Sequence, residues 1–147
     1  SLIIFFMNDN TILFAFLIPL LLVMIAFAIL MFAAQWKIYV KAGEEGWKAL
    51  IPIYNIYVLL KIVGKPGWWL ILMLIPFVNI IYIIWTYNML SKSFGKDEGF
   101  TVGLVLAGVI FFPILGFGSA VYQGPYGDKS AFEAHQAAQL SFDAENN

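Results

Sequence analysis

The chain has no cysteine, no arginine and one histidine, and only 12% of its 147 residues are charged. Without cysteine there is no disulfide framework, no thiolate metal site and no sulfur nucleophile, whichever compartment the loops face. Lysine supplies all eight cations and the net charge is −1, so no basic surface offsets a phosphate backbone and nucleic acid is not an expected partner. The single histidine, His135, stands in a polar C-terminal stretch, where a lone exposed imidazole is expected rather than a metal or haem ligand. Ser91, Lys92 and Ser93 are adjacent, but a Ser/Lys hydrolase needs its lysine desolvated and aimed at the hydroxyl, and "LSKSFGKDEG" reads as a solvated helix end. Glu44 and Glu45 read as surface charges with no partner acid across a cleft. No enzyme activity, cofactor or metal is expected.

Apolar residues fill the space these absences leave. The chain is 62% hydrophobic and 18% aromatic, with a mean hydropathy of +0.86, far from soluble usage, where roughly a quarter of residues are charged. This composition predicts an all-α integral membrane protein with the lipid bilayer as its first partner. A spanning helix needs about 20 mainly apolar residues, which gives four segments: 11–34, 47–63, 68–90 and 100–117. The first is uncharged throughout, and the apolar "SLIIFF" ahead of it extends it or lies at the interface. It lacks the basic start and the small-residue cleavage site of a secretory signal. The second is short, with Lys48 and Lys61 leaving about a dozen uncharged residues between them, so it spans or re-enters. The third follows "KPGWW", a turn with interfacial tryptophans. Residues 1–126 thus form a polytopic membrane domain, and 127–147 a solvated acidic tail with a short Ala-rich helix over Ser130–Leu140.

Lysines in the short loops set the orientation. With four crossings, Lys37, Lys41, Lys48, Lys92 and Lys96 share the cytoplasmic side against Lys61, Lys65 and Lys129, and both termini face outward. With a re-entrant second segment, Lys61 and Lys65 join the first group and the C-terminus moves to the cytoplasm.

Two stretches echo one another, "LIPIYNIYVLLK" from Leu50 and "LIPFVNIIYIIW" from Leu74. A proline inside a membrane helix frees a carbonyl one turn back, and an amide three residues along can supply it with a donor. Pro52, Pro76 and, in the fourth segment, Pro113 are expected helix bends. On a helical wheel Asn79, Tyr82 and Thr86 fall within about 60° of one another, and Tyr54, Tyr57 and Lys61 make a similar stripe beside Asn55. One reading is interhelical glue at about 0.6–2 kcal/mol per contact; the other is a path for a neutral solute between half-helices. Gly99, Gly103 and Ala107 repeat every four residues, a small-residue face for a partner or second copy, or for the chain's own helices.

The run "KAGEEGWKALIPIYNIYVLLKIVGKPGWW", then "LIPFVNII", "FGKDEGF" and "FFPILGFGSAVYQGP" resembles, over about Lys37–Pro125, an uncharacterised family of small bacterial multi-pass membrane domains. Some members are similar to the membrane portion ahead of a signal peptidase I catalytic domain. The resemblance implies a bacterial cytoplasmic (inner) membrane location and brings no catalytic or binding residue with it. Peptidase activity is not expected here, since nothing after Pro125 reads as a β-rich catalytic domain; the alternative is part of a signal peptidase-like protein without that domain. The leading expectation is a non-enzymatic accessory or scaffold subunit of an envelope complex, contacting other membrane subunits or itself. A small transporter or channel, and a membrane appendage of secretion or signal-peptide processing machinery, are the alternatives.

Overall fold

Asn8 opens the first helix: its side chain accepts from the Thr11 amide at 2.8 Å, satisfying one of the donors a helix start leaves free. The computed structural model describes residues 2–3 and 8–147, and every regular element among them is helical. Of "SLIIFF" only Leu2 and Ile3 are among them, both exposed; the rest of that stretch, and the expectation attached to it, lies outside the described residues. Helix α1 (Asp9–Lys41) has 33 residues, about 50 Å at 1.5 Å per residue. Among the described residues it alone is long and apolar enough to cross a membrane, and such a helix near an N-terminus also meets the description of a signal sequence.

A 3-10 turn (Gly46–Leu50) follows, then α2 (Tyr54–Val63), α3 (Trp69–Leu74), α4 (Val78–Ser93), α5 (Glu98–Leu106), α6 (Gly108–Phe117) and α7 (Lys129–Asn146). None of the stretches expected to cross at 47–63, 68–90 and 100–117 is a continuous helix. On a straight helix Trp69 and Trp85, sixteen positions apart, would be separated by about 24 Å; their ring centroids lie 5.1 Å apart. Phe100 and Phe111 meet at 5.2 Å. Glu44 holds Lys48 at 3.0 Å and Lys61 at 3.2 Å with the same carboxylate, which brings together the two ends of the second segment. Each stretch is a hairpin whose arms return to one base.

The reversals correct the expectation that Pro52 and Pro76 bend helices, because here they end them. Proline pushes the preceding residue out of the helical region, and Ile51 and Ile75 are extended, with ψ 117° and 121°. The following residues, Ile53 and Phe77, take φ 67° and 65°. In each case the next amide bonds back two residues, Tyr54 N to Pro52 O at 2.7 Å and Val78 N to Pro76 O at 2.8 Å. These are positive-φ γ-turns, a rare and strained form. The echoed motifs therefore share one backbone, down to matching bonds from the Asn55 and Asn79 amides to Ile51 O and Ile75 O, both 2.9 Å. The third reversal has no proline; Ala107, at φ −138° and ψ 46°, separates α5 from α6. Pro113 lies inside α6, which continues through it.

The core sits at the hairpin bases. Ile38 of α1, Leu60 and Val63 of α2, Leu90 of α4 and Leu115 of α6 are nearly or completely buried, each contributing about 1.5–3 kcal/mol when removed from water. Residues 119–128 form a strap beneath, and α7 extends the expected tail helix at both ends. Asp128 caps it by accepting from the Ala131 amide at 3.2 Å, and most of its surface is exposed.

Candidate functional site

Two ends of the hairpin layer carry the chemistry. At the base, the helix arms finish with unpaired carbonyls, and the chain closes each from elsewhere. Gly127 N of the strap donates to Val63 O at 2.6 Å and Gln123 N donates to Ser93 O at 2.6 Å. Tyr126 N donates to Ser93 Oγ at 3.2 Å, and the Tyr122 hydroxyl to Ile62 O. Lys41, at the end of α1, donates to Leu115 O at 2.7 Å and Gly118 O at 3.0 Å, closing α6 with a cation at the negative end of its dipole.

Glu44 is the charged centre of this base, and its side chain is only 12% exposed. Burial alone would raise its carboxyl pKa, but hydrogen bonds and charge from Lys48 and Lys61 outweigh that and hold it below its ordinary value. The expectation of a surface charge is corrected here, as it is for Ser91 and Ser93, which are fully buried. Ser91 donates to Asp97 O at 2.9 Å, tying α4 to the start of the third hairpin. His135 stacks edge-on against Tyr122 at 5.3 Å instead of standing free.

The polar residues singled out in the sequence separate among the hairpins. Asn55 donates to Ala49 O at 3.3 Å across its own reversal, and its carbonyl accepts from the buried Tyr39 hydroxyl of α1. Tyr54 stacks on Trp47 at 6.3 Å and on Tyr57 at 6.1 Å. Tyr82 packs edge-on against Trp69 at 5.2 Å, within a cluster that includes Trp85. Thr86 donates back to Tyr82 O at 2.7 Å. No hydrogen bond joins Asn55 to Asn79 among the described residues.

The small-residue stripe on α5 also divides. A Cβ on Gly103 would stand 2.4 Å from the Phe111 ring, so α6 of the same chain covers this position. Gly99 is exposed, with Asp97 its only close neighbour, and Ala107 is the turn itself.

At the opposite end the tips are apolar and bare. Phe77 is 87% exposed, Leu106 80% and Ile53 53%. Two open grooves flank the first hairpin. One of about 530 Å³ is lined by Tyr57, Lys61, Lys65 and Pro66 at the base. The other, about 350 Å³ and almost wholly apolar, lies between Leu50 and Ile29, Phe32, Ala33 and Trp36 of α1. Among the described residues no three His, Asp or Glu side chains stand close enough to hold a metal ion.

Sequence reasoning missed Tyr39, Lys41 and the strap. The only signal for Lys41 was its place in the last turn of a long helix; its acceptor lies 74 positions away. The strap's signal was the turn-rich run "GFGSAVYQGPYGD", which by itself names no partner.

No curated protein and no solved structure matches the chain. The model of a family of unknown function, DUF5684, matches residues 47–125, a region that runs from the first hairpin through the third and into the strap, leaving out α1 and α7. With more than half of its length matched, the chain belongs to this family of unknown function.

Proposed function

We propose that the protein is a non-enzymatic integral membrane unit, an accessory or scaffold subunit of a larger bacterial envelope complex. The observation behind this reading is the apolar surface left uncovered. Along α1 the large side chains from Leu13 to Leu30 are exposed, Phe16 by 75% and Val23 by 66%. A soluble monomer rarely exposes an apolar patch beyond a few hundred Å². Lipid accounts for one side of α1, and a partner's membrane helix for another.

Its other end argues for an anchor that stays. Ala34, Ile38 and Tyr39 are core residues and Lys41 caps α6, so removing α1 as a signal would strip the base of the fold. The resemblance to the membrane portion of signal peptidase-like proteins supports secretion or signal-peptide processing machinery as the partner class. A solute path is less well supported, because Asn55 and Asn79 stand in separate hairpins and Asn55 is engaged within its own.

Photo-crosslinking residues placed at Phe16, Leu20 and Ile25, followed by native mass spectrometry from mild detergent, test the subunit reading. A stoichiometric hetero-complex cross-linked through α1 is expected. A monomer with no protein cross-linked at any of the three positions overturns it, and a homo-oligomer carrying a bound solute favours a transporter.

A further inference from the structure

We propose that all three hairpins sink into a single leaflet, the one on the lysine side, and that α1 alone reaches the other. This rests on the membrane reading above and adds to it the mode of contact.

Charge placement carries the first step. Four stretches hold no charged residue at all: 10–36, 49–60, 66–91 and 99–127. The last three are the hairpins, with the strap continuing the third. Their flanking charges meet at the base, where Glu44 joins Lys48 and Lys61 and Lys92 pairs with Glu98. The strap ties the remaining ends together, since Gly127 bonds the end of α2 and its neighbour Tyr126 bonds the end of α4. Every charged residue except Asp9 therefore belongs to the base, to the loops that join the hairpins there, or to the strap and α7 beyond it.

The tips carry the second step. A turn facing water takes Gly, Asn, Asp or Ser, whereas these turns present Ile53, Phe77 and Leu106 outward, with Leu74, Ile80 and Ile110 around them. Nothing there offers a charged or side-chain hydrogen-bonding group to recognise. Acyl chains, which require only apolar contact, suit such a surface.

Length carries the third. Leu50, beside the first tip, lies against Ile29, Phe32 and Ala33, so that hairpin rises no higher than about Ile29 on α1. Residues 11–28 of α1 continue for about 27 Å beyond it, nearly the full thickness of a hydrocarbon core of about 30 Å. The tips thus enter the near leaflet and stop short of the far one. Aromatic side chains mark the entry level. Trp36, Trp47 and Trp68 are exposed near the base, and the Lys65 ammonium sits 5.2 Å from the Trp69 ring centroid and 5.8 Å from that of Trp85, as interfacial anchors do.

The arrangement puts all eight lysines on one side. By the lysine rule that side is cytoplasmic, with the N-terminus outside and the C-terminus inside, which replaces the expectation of an outward C-terminus.

The test uses the full chain in phosphatidylcholine vesicles carrying brominated acyl chains at defined depths, with a fluorophore on a single cysteine at Phe77, Leu106 or Met24. Labels at Phe77 and Leu106 should lose most fluorescence to the shallowest bromines, and the label at Met24 to the deepest. Strongest quenching of Phe77 or Leu106 by the deepest bromines, or no quenching at either, overturns the proposal. In intact cells, cysteines at Lys65, Lys96 and Ser130 should stay unlabelled by an impermeant external thiol reagent and become labelled on permeabilisation. External labelling at any of them overturns it too. Release of the protein by alkaline carbonate would sink the membrane reading itself, while retention with deep tips sinks only the hairpin proposal.

Discussion

Gly116 of α6 is the position where the packing of the third hairpin on α1 is most exposed to a single change. A Cβ there would stand 2.5 Å from the Ala34 carbonyl oxygen and 3.0 Å from the Ala34 Cα. Both are backbone atoms, so no rotamer change relieves the contact, and α1 and α6 must separate by roughly 1 Å to restore ordinary van der Waals spacing. Overpacking of this kind costs about 1–3 kcal/mol. At roughly 2–4 °C per kcal/mol for a chain of this size, Gly116→Ala should lower the melting temperature in mild detergent by about 2–12 °C. The tryptophan fluorescence ramp is the natural assay, and Gly99→Ala the control, since the only close neighbour there is the flexible Asp97 side chain. Separation of the helices would also pull Leu115 O and Gly118 O from Lys41, so Gly116→Ala and Lys41→Met should combine non-additively. A Gly116→Ala protein that melts at or above the wild-type temperature would refute the docking of α6 on α1.

Other substitutions probe the base and the third hairpin. Lys41→Met leaves the end of α6 without its donor and should cost about 1–3 kcal/mol of stability while leaving membrane insertion intact, read by the same thermal ramp and by carbonate resistance. Glu44 has its folded pKa depressed, so it contributes stability that is present above its unfolded value of 4.5 and is lost as pH falls through the folded value. Glu44→Gln should therefore be less stable than wild type at pH 7 and lose less on acidification below about pH 4.5, as thermal melts across pH 3–7 would reveal. Gly103→Leu should destabilise the isolated chain through the Phe111 contact without changing its assembly state on size exclusion; a change of assembly with unchanged melting would return that face to a partner.

How much of this was legible depends on the range of the interaction. The apolar segments, the interfacial tryptophans and the echo of Leu50–Lys61 in Leu74–Trp85 were all plain, because they are local patterns of residue type. The depth of the break at each proline was not. A proline in an apolar run is compatible with a bend or a reversal, and the choice turns on the residue that follows. Ile53 and Phe77 hold positive φ only because the arms on either side pack together, through Asn55 to Ala49 in one hairpin and Trp69 to Trp85 in the other. The reversal at Ala107 has no local signal of its own, and the same glycines that suggested a partner face are what let Phe111 fold back over Gly103. Glu44 read as a solvated charge because Lys61, seventeen positions on, was counted on the opposite side of the membrane. A topology argued from lysine numbers inherits any error in the number of crossings.

The distance between Lys65 and Lys92 tests the hairpin account most directly, because the two flank the second hairpin. Val63 O and Ser93 Oγ both bond the adjacent strap residues Gly127 and Tyr126, at 2.6 Å and 3.2 Å. That places the ends of the hairpin within about 10 Å of each other, and spin labels at Lys65 and Lys92 within about 20 Å. If the segment crossed the bilayer, the labels would be separated by its hydrocarbon core, about 30 Å or more. Pulsed electron spin resonance on the doubly labelled chain in vesicles should give a distribution centred below about 20 Å, and one centred at about 30 Å or beyond would contradict the hairpin fold.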